Sequence, residues 1–197
     1  MADFDDGRID GAGLCDRFAT PSDWWVLGPF GNPRTAPAFP VPAGMPQVPS
    51  TGAVMHGPGG SIRWFPYPNR EPTGQLILRR VFDWRHTDHA AAQLICTLES
   101  ERDVSAQLCL GLDDGLAVWL DEALVVDRRD YGRAHGGLLH RDRFLFEERI
   151  PVAIRRGPQR LAVTAINALG EWGFNMRFVG DDGLPLSGLR FGLASQR

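Results

Sequence analysis

One run, Ala106 to Val126 (AQLCLGLDDGLAVWLDEALVV), constrains this chain more than any other stretch. Ala106, Leu108 and Leu110 alternate with Gln107, Cys109 and Gly111, the period of a strand with one buried face rather than of a helix. Leu112-Asp113-Asp114-Gly115 then breaks the pattern. Gly accepts positive φ and Asp hydrogen-bonds its own backbone, so this is a turn. Leu116 to Leu120, carrying Trp119, makes a second strand, Asp121-Glu122-Ala123 turns again, and Leu124 to Val126 makes a third. The run therefore predicts an antiparallel meander.

The rest of the chain repeats this pattern of short segments and turn residues. Residues 1–22 form an irregular or short helical lead-in. Trp24 to Phe30 is a first strand ended by Gly28-Pro29, because proline has no amide hydrogen to continue a ladder. Residues 31–60 are crowded with proline and glycine and keep no hydrophobic period, so they form a long loop that covers a sheet edge or walls a cleft. Ser61 to Phe65 is a short strand, Pro66 to Gly74 a turn-rich loop, and Gln75 to Trp84 a central strand apolar on both faces. After a turn at Arg85 to Ala90 come strands at Gln93 to Glu99, Phe144 to Ile150, Gln159 to Asn167, Glu171 to Val179 and Leu189 to Leu193. The intervening stretch, Asp127 to Arg143, is a polar exposed loop. Ten or eleven short strands with no strong amphipathic helix predict one all-β domain over 1–197, an antiparallel β-sandwich over 23–193.

With 197 residues, 43% of them hydrophobic, the chain can bury a substantial core. The net charge of -3 gives no general attraction to nucleic acid or anionic lipid, and neither partner is expected. All 21 basic residues are arginine. Lysine Schiff-base chemistry and lysine-dependent phosphate loops are thereby excluded. The acidic start MADFDDGRIDGAG lacks the features of a secretory signal, and no run approaches the roughly 18 apolar residues of a membrane span, so a cytoplasmic location is expected. In the strand reading Cys96 and Cys109 point to opposite faces, which predicts reduced, structural cysteines.

Several motifs, taken in order, resemble the galactose-binding-like jelly rolls, particularly the N-terminal sugar-binding domain of family 2 glycoside hydrolases in bacteria. They are Trp25-Val26-Leu27-Gly28-Pro29-Phe30, the turn Pro72-Thr73-Gly74, Leu110-Gly111-Leu112-Asp113-Asp114-Gly115 leading to Val118-Trp119-Leu120, His135-Gly136-Gly137, Asn167, and Trp172-Gly173-Phe174. The resemblance spans roughly residues 24 to 180 and implies a jelly roll. Two departures stand out. The usual Asn-Gly hairpin after the Trp strand is Asp121-Glu122, and there is no catalytic barrel, so hydrolysis is not inherited.

A sugar site needs an aromatic face for the ring and forked polar groups for its hydroxyls. By motif position the ligand-binding candidates are Asp113, Asp114, Trp172, Arg177, Asn167 and His135. Asp113-Asp114-Gly115 and Asp181-Asp182-Gly183 could also supply carboxylates to a structural calcium ion, although Asp-Gly is equally ordinary turn chemistry. No other cofactor is implied. His86 and His89 have no third ligand at zinc spacing, and no nucleophile elbow or dinucleotide fingerprint is present.

The expected function is non-catalytic binding of a carbohydrate or similar polyhydroxylated small molecule. The alternative is a small jelly-roll enzyme, a cyclase or isomerase of bacterial natural-product metabolism. Asp83, Asp114 or His135 would be its acid, and Trp64, Trp119 and Phe174 the walls of an apolar pocket. A homodimer built on exposed strand edges is a third possibility.

Overall fold

The structure, a computed structural model, describes residues 11–30, 45–47, 54–57, 60–82, 87–129, 148–168 and 170–194. Its elements in chain order are α1 (Gly11–Arg17), β1 (Asp23–Phe30), β2 (Val54–Gly57), β3 (Gly60–Arg63), β4 (Phe65–Pro68), β5 (Gln75–Ile77), α2 (Leu78–Val81), β6 (Ala91–Ser100), β7 (Val104–Asp113), β8 (Gly115–Leu120), β9 (Ala123–Arg128), β10 (Glu148–Ile154), β11 (Gly157–Ile166), β12 (Gly173–Val179) and β13 (Leu189–Gly192). A seven-stranded antiparallel sheet runs β4-β1-β6-β11-β8-β9, with β13 on the second half of β6. A four-stranded sheet runs β10-β7-β12-β5, and β2 and β3 form a separate hairpin. The chain is an all-β sandwich.

Strand alternation sends one set of side chains between the sheets. Trp24, Leu94, Leu98, Leu108, Leu110, Val163, Phe174 and Phe178 all meet there, each at most 1% exposed. The seven-stranded sheet is covered on its other face too. Ile95, Ala117, Trp119 and Ala162 form a second cluster with Trp25, Met45 and Trp64, and Leu27, Phe30 and Ala91 a third with Ile62 and Trp64. Burial on both faces explains why β8 and the first half of β6 are buried without a break. Part of the expected 31–60 loop thus roofs a sheet face rather than an edge, through Met45. Part of it pairs, as β2 with β3. The remainder lies outside the described residues.

The predicted meander is half correct. β8 and β9 form a hairpin, with Leu120 paired to Ala123 around Asp121-Glu122. β7 and β8, however, belong to different sheets. The single residue between them, Asp114, takes φ 66°, and the chain crosses the sandwich there instead of folding back. Gly115 makes the corner feasible, since a Cβ on it would stand 2.9 Å from the Arg129 carbonyl oxygen.

The first strand runs to Phe30 as expected, passing Gly28-Pro29 through a register shift between Leu27 and Phe30. Two further expectations need correction. Phe65–Pro68 is a strand at the sheet edge, where proline is tolerated, rather than part of a loop. Gln75 to Trp84 is not one strand. After three residues it becomes α2, whose first amide donates to the Trp172 carbonyl at 2.8 Å. The three cysteines are free and buried, with Cys96 between the sheets and Cys109 on the outer face of the smaller one.

Candidate functional site

The β7–β8 corner gathers four of the candidate residues at one end of the sandwich. Asp114 is 4% exposed, and its carboxylate accepts the Ala168 amide at 2.6 Å. The Ala168 carbonyl accepts the His89 amide at 2.7 Å, and the Asn167 amide donates to the Ala90 carbonyl at 2.8 Å. The Asn167 side chain donates to the Thr87 carbonyl at 2.6 Å, leaving its Oδ1 buried without a partner. Asp114 and Asn167 thus stitch the corner to residues 87–90 and 168. Their carboxylate and amide groups satisfy backbone that would otherwise be stranded at a sheet crossing.

Trp172 and Asp113 lie at the same end on opposite faces of the four-stranded sheet. Gly173 pairs with Asp113 and Phe174 with Leu112. Trp172 has the parity of Phe174, Met176 and Phe178, so its indole points between the sheets, is fully buried, and stacks on Phe82 at 5.6 Å between centroids. This corrects the expected ring platform: Trp172 presents no face to a ligand.

The opposite parity of the same two central strands builds the polar surface. On β7, Gln107, Cys109, Gly111 and Asp113 face outward; on β12, Gly173, Asn175 and Arg177 do. Gln75 of β5 joins them beside Asn175. Gly111 and Gly173 carry no side chain, and both are buried, as are Cys109 and Asn175. Asn175 is 7% exposed, and its Oδ1 has no hydrogen-bond partner. An orphaned buried acceptor costs roughly 1–3 kcal/mol, a deficit that a donor from outside would remove. Arg177 is half-buried opposite Cys109. It sits four residues from Gly173, or about 13 Å along the strand from the level of Asp113.

Of the expected residues, then, Asp113 and Arg177 share this outer face, Asp114 and Asn167 brace the corner beside it, and Trp172 lies underneath. Asn175, Gln107 and Gly111 were not anticipated. Their signal was the alternation around Phe174, Met176 and Phe178, which assigns Asn175 and Arg177 to one face. Asp83 and His135 lie outside the described residues, as does His86.

Asp181 and Asp182 occupy the other end of the sandwich. With Arg102, Ser105, Leu184 and Ser187 they line a hollow of about 440 Å³. The Asp182 carboxylate accepts the Leu184 amide at 3.0 Å, which is turn chemistry. Because β7 runs from Val104 beside this hollow to Asp113 at the corner, the two Asp-Asp-Gly turns are about 30 Å apart and cannot share one ion. Among the described residues no group of three or more His, Cys, Asp or Glu could hold a metal. The three expected pocket walls also separate, since Trp64 and Trp119 cover the outer face of the larger sheet while Phe174 lies between the sheets.

No family model matches the chain, and no curated protein does. One similar solved structure is an anti-sigma factor domain-containing protein from Clostridium clariflavum, 10% identical with a TM-score of 0.47. The match covers 90% of this chain and 48% of that one, so the chain spans about half the length of that protein. Among the described residues no helix is long and apolar enough to cross a membrane.

Proposed function

We propose that this chain is a galactose-binding-like module that binds a carbohydrate or similar polyhydroxylated small molecule, without turning it over, on the outer face of the four-stranded sheet. The observation that carries the reading is the Asn175 carbonyl oxygen, buried and unpartnered opposite Gly111. A ligand hydroxyl displacing the side chains around it would donate there. Asp113 is placed to accept from a neighbouring hydroxyl, and Gln75 and Gln107 offer forked amides along the same face. The order of motifs shared with the sugar-binding jelly rolls supports the same class.

Isothermal calorimetry with galactose, glucose and their acidic derivatives tests the proposal. Saturable binding that Asp113→Ala abolishes, with the sugar recovered unchanged, supports it. Absence of binding by every sugar in the series overturns it.

A further inference from the structure

The four-stranded sheet is incomplete at the end away from the β7–β8 corner. β12 stops at Val179, opposite Gln107, while β7 extends beyond that level to Val104. β10 covers only one edge of this extension, pairing with Val104, Ser105 and Ala106. The Phe178 amide donates to the Ala19 carbonyl at 2.9 Å, and the Phe178 carbonyl accepts the Leu186 amide at 3.1 Å, so both groups point away from β7. Strand alternation then turns the backbone groups of Val179 toward Gln107, and those of Gln107 toward β12. Two residues along β7, the amide and carbonyl of Ser105 point the same way, past the last residue of β12.

What lies there is the hollow of about 440 Å³, a volume within the range of ligand pockets. Ser105 lines it and is exposed, and among the described residues its main-chain amide and carbonyl have no protein partner. The chain leaving β12 does not fill the gap. Gly180 turns off, its amide donating to the Leu184 carbonyl at 2.9 Å on the side away from β7. Val104 and Leu186 give the hollow an apolar wall continuous with the core. Its charges are divided between two ends: Asp181 and Asp182 stand where β12 ends, and Arg102 just before β7 begins. Neither the Asp181 carboxylate nor the Arg102 guanidinium has a hydrogen bond or ion pair among the described residues. An Arg149 Nη, 4.0 Å from where a Cβ on Gly183 would be, offsets one of the two carboxylates and leaves the turn negative.

We propose that this gap binds a short free peptide, of about three residues, added to the edge of β7 as an antiparallel strand. The middle residue of the peptide exchanges both backbone hydrogen bonds with Ser105, as Val179 does with Gln107 one pair earlier. A chain continuing the line of β12 runs from the Asp181 end toward Arg102. Its ammonium therefore meets Asp181 and its carboxylate meets Arg102, whose planar fork suits paired oxygens. The opposite direction brings like charges together. From Ser105 to Arg102 the chain spans at most about 10 Å, so a longer peptide carries its free end past the guanidinium. The middle side chain shares the outward face of Ser105, and its two neighbours lie over Val104 and Leu186, which favours small apolar residues there. This site is separate from the Asn175 surface and does not depend on the carbohydrate reading.

Calorimetric titration of the full chain with trialanine at low salt should show saturable binding. N-methylation of the middle residue removes the hydrogen that the Ser105 carbonyl accepts, and should weaken binding by at least about tenfold. Acetylating the amino end or amidating the carboxyl end should each cost about two- to fivefold, the range of exposed ion pairs. Arg102→Gln, at an exposed position, should match the loss on amidation and add nothing to it, and Asp181→Asn should do the same for acetylation. No saturation at about 10 mM trialanine overturns the site. Binding indifferent to N-methylation overturns the strand pairing. Trialanine blocked at both ends and binding as tightly as the free form overturns the free peptide in favour of the interior of a longer chain. A loss in Arg102→Gln that tracks acetylation instead of amidation overturns the antiparallel direction.

Discussion

The Asp121 carboxylate accepts the backbone amide of Arg160 at 2.9 Å, tying the β8–β9 turn to the neighbouring strand β11. The same carboxylate accepts Gln159 Nε2 at 3.2 Å and a short bond from Arg155. Asp121 takes φ 51°, with positive φ at the first central residue of a two-residue hairpin, a position that favours glycine. An Asp-Glu pair can thus stand where a tight two-residue hairpin favours Asn-Gly, because the side chain is held by an adjacent strand.

This arrangement predicts pH-dependent stability. Burial pushes the Asp121 carboxyl up, but the bonds from the Arg160 amide, Arg155 and Gln159 outweigh it and hold the group below the usual carboxylate range. A carboxyl depressed on folding stabilises above its unfolded pKa, near 3.9, and loses that contribution as pH falls through the folded value. Arg155 is 71% exposed, so the ion pair itself adds little, and most of the effect is the hydrogen bonding. Asp121→Ala should destabilise by about 1–2 kcal/mol near pH 7. Urea unfolding should show a gap from the wild type that is constant to about pH 5 and narrows below about pH 4. A gap independent of pH would show that the carboxylate is not the source.

Gly74 and Gly157 separate backbone strain from steric conflict. Both have positive φ, 80° and 91°. A Cβ on Gly74 would stand 2.2 Å from the Met176 carbonyl oxygen, whereas one on Gly157 meets nothing within 4 Å. Gly157→Ala should therefore lose only the left-handed penalty, about 1–2 kcal/mol. Gly74→Ala must also displace β12, where the Met176 amide donates to the Gly74 carbonyl at 3.1 Å. Thermal unfolding should show Gly74→Ala at least about 2 kcal/mol less stable than Gly157→Ala.

The strands were legible because their alternation is local. β7, β8, β11 and β12 follow the apolar positions Leu108, Val118, Val163 and Phe174. Which sheet each strand joins was not legible, since one residue at positive φ can turn a hairpin or cross between sheets, and Asp114 crosses. QLILRRVFDW is apolar enough for a strand, and its break into α2 depends on a partner far away in sequence, the Trp172 carbonyl that accepts the Leu78 amide. Motif position singles out Asp113 and Arg177, and strand register puts both on the outer face of the four-stranded sheet. Trp172 was misassigned although its parity with Phe174, Met176 and Phe178 already placed it inside.

Burial of Trp172 gives a decisive variant. Replacing a fully buried indole stacked on Phe82 by alanine should cost about 3–5 kcal/mol, with Trp172→Phe losing much less. Sugar affinity measured on folded Trp172→Phe should match the wild type. A stable Trp172→Ala protein that has lost only sugar binding would contradict the observed orientation.

The cysteines report separately on the core and on the outer face. All three are buried and free. Cys96 lies between the sheets with its thiol pushed well above its usual range by burial, and burial also raises the Cys15 thiol. A disulfide reagent needs both access and the thiolate, so Cys96 should react only as fast as the protein unfolds. Cys109 is on the outer face of the four-stranded sheet, so exposing it does not require the two sheets to part. Mass spectrometry of labelled peptides should find Cys109 modified first and Cys96 last under native conditions. Saturation with a sugar bound on this face should slow Cys109 labelling several-fold and leave Cys96 unchanged. Equal slowing at both sites would indicate global stabilisation instead of a ligand lying over Cys109.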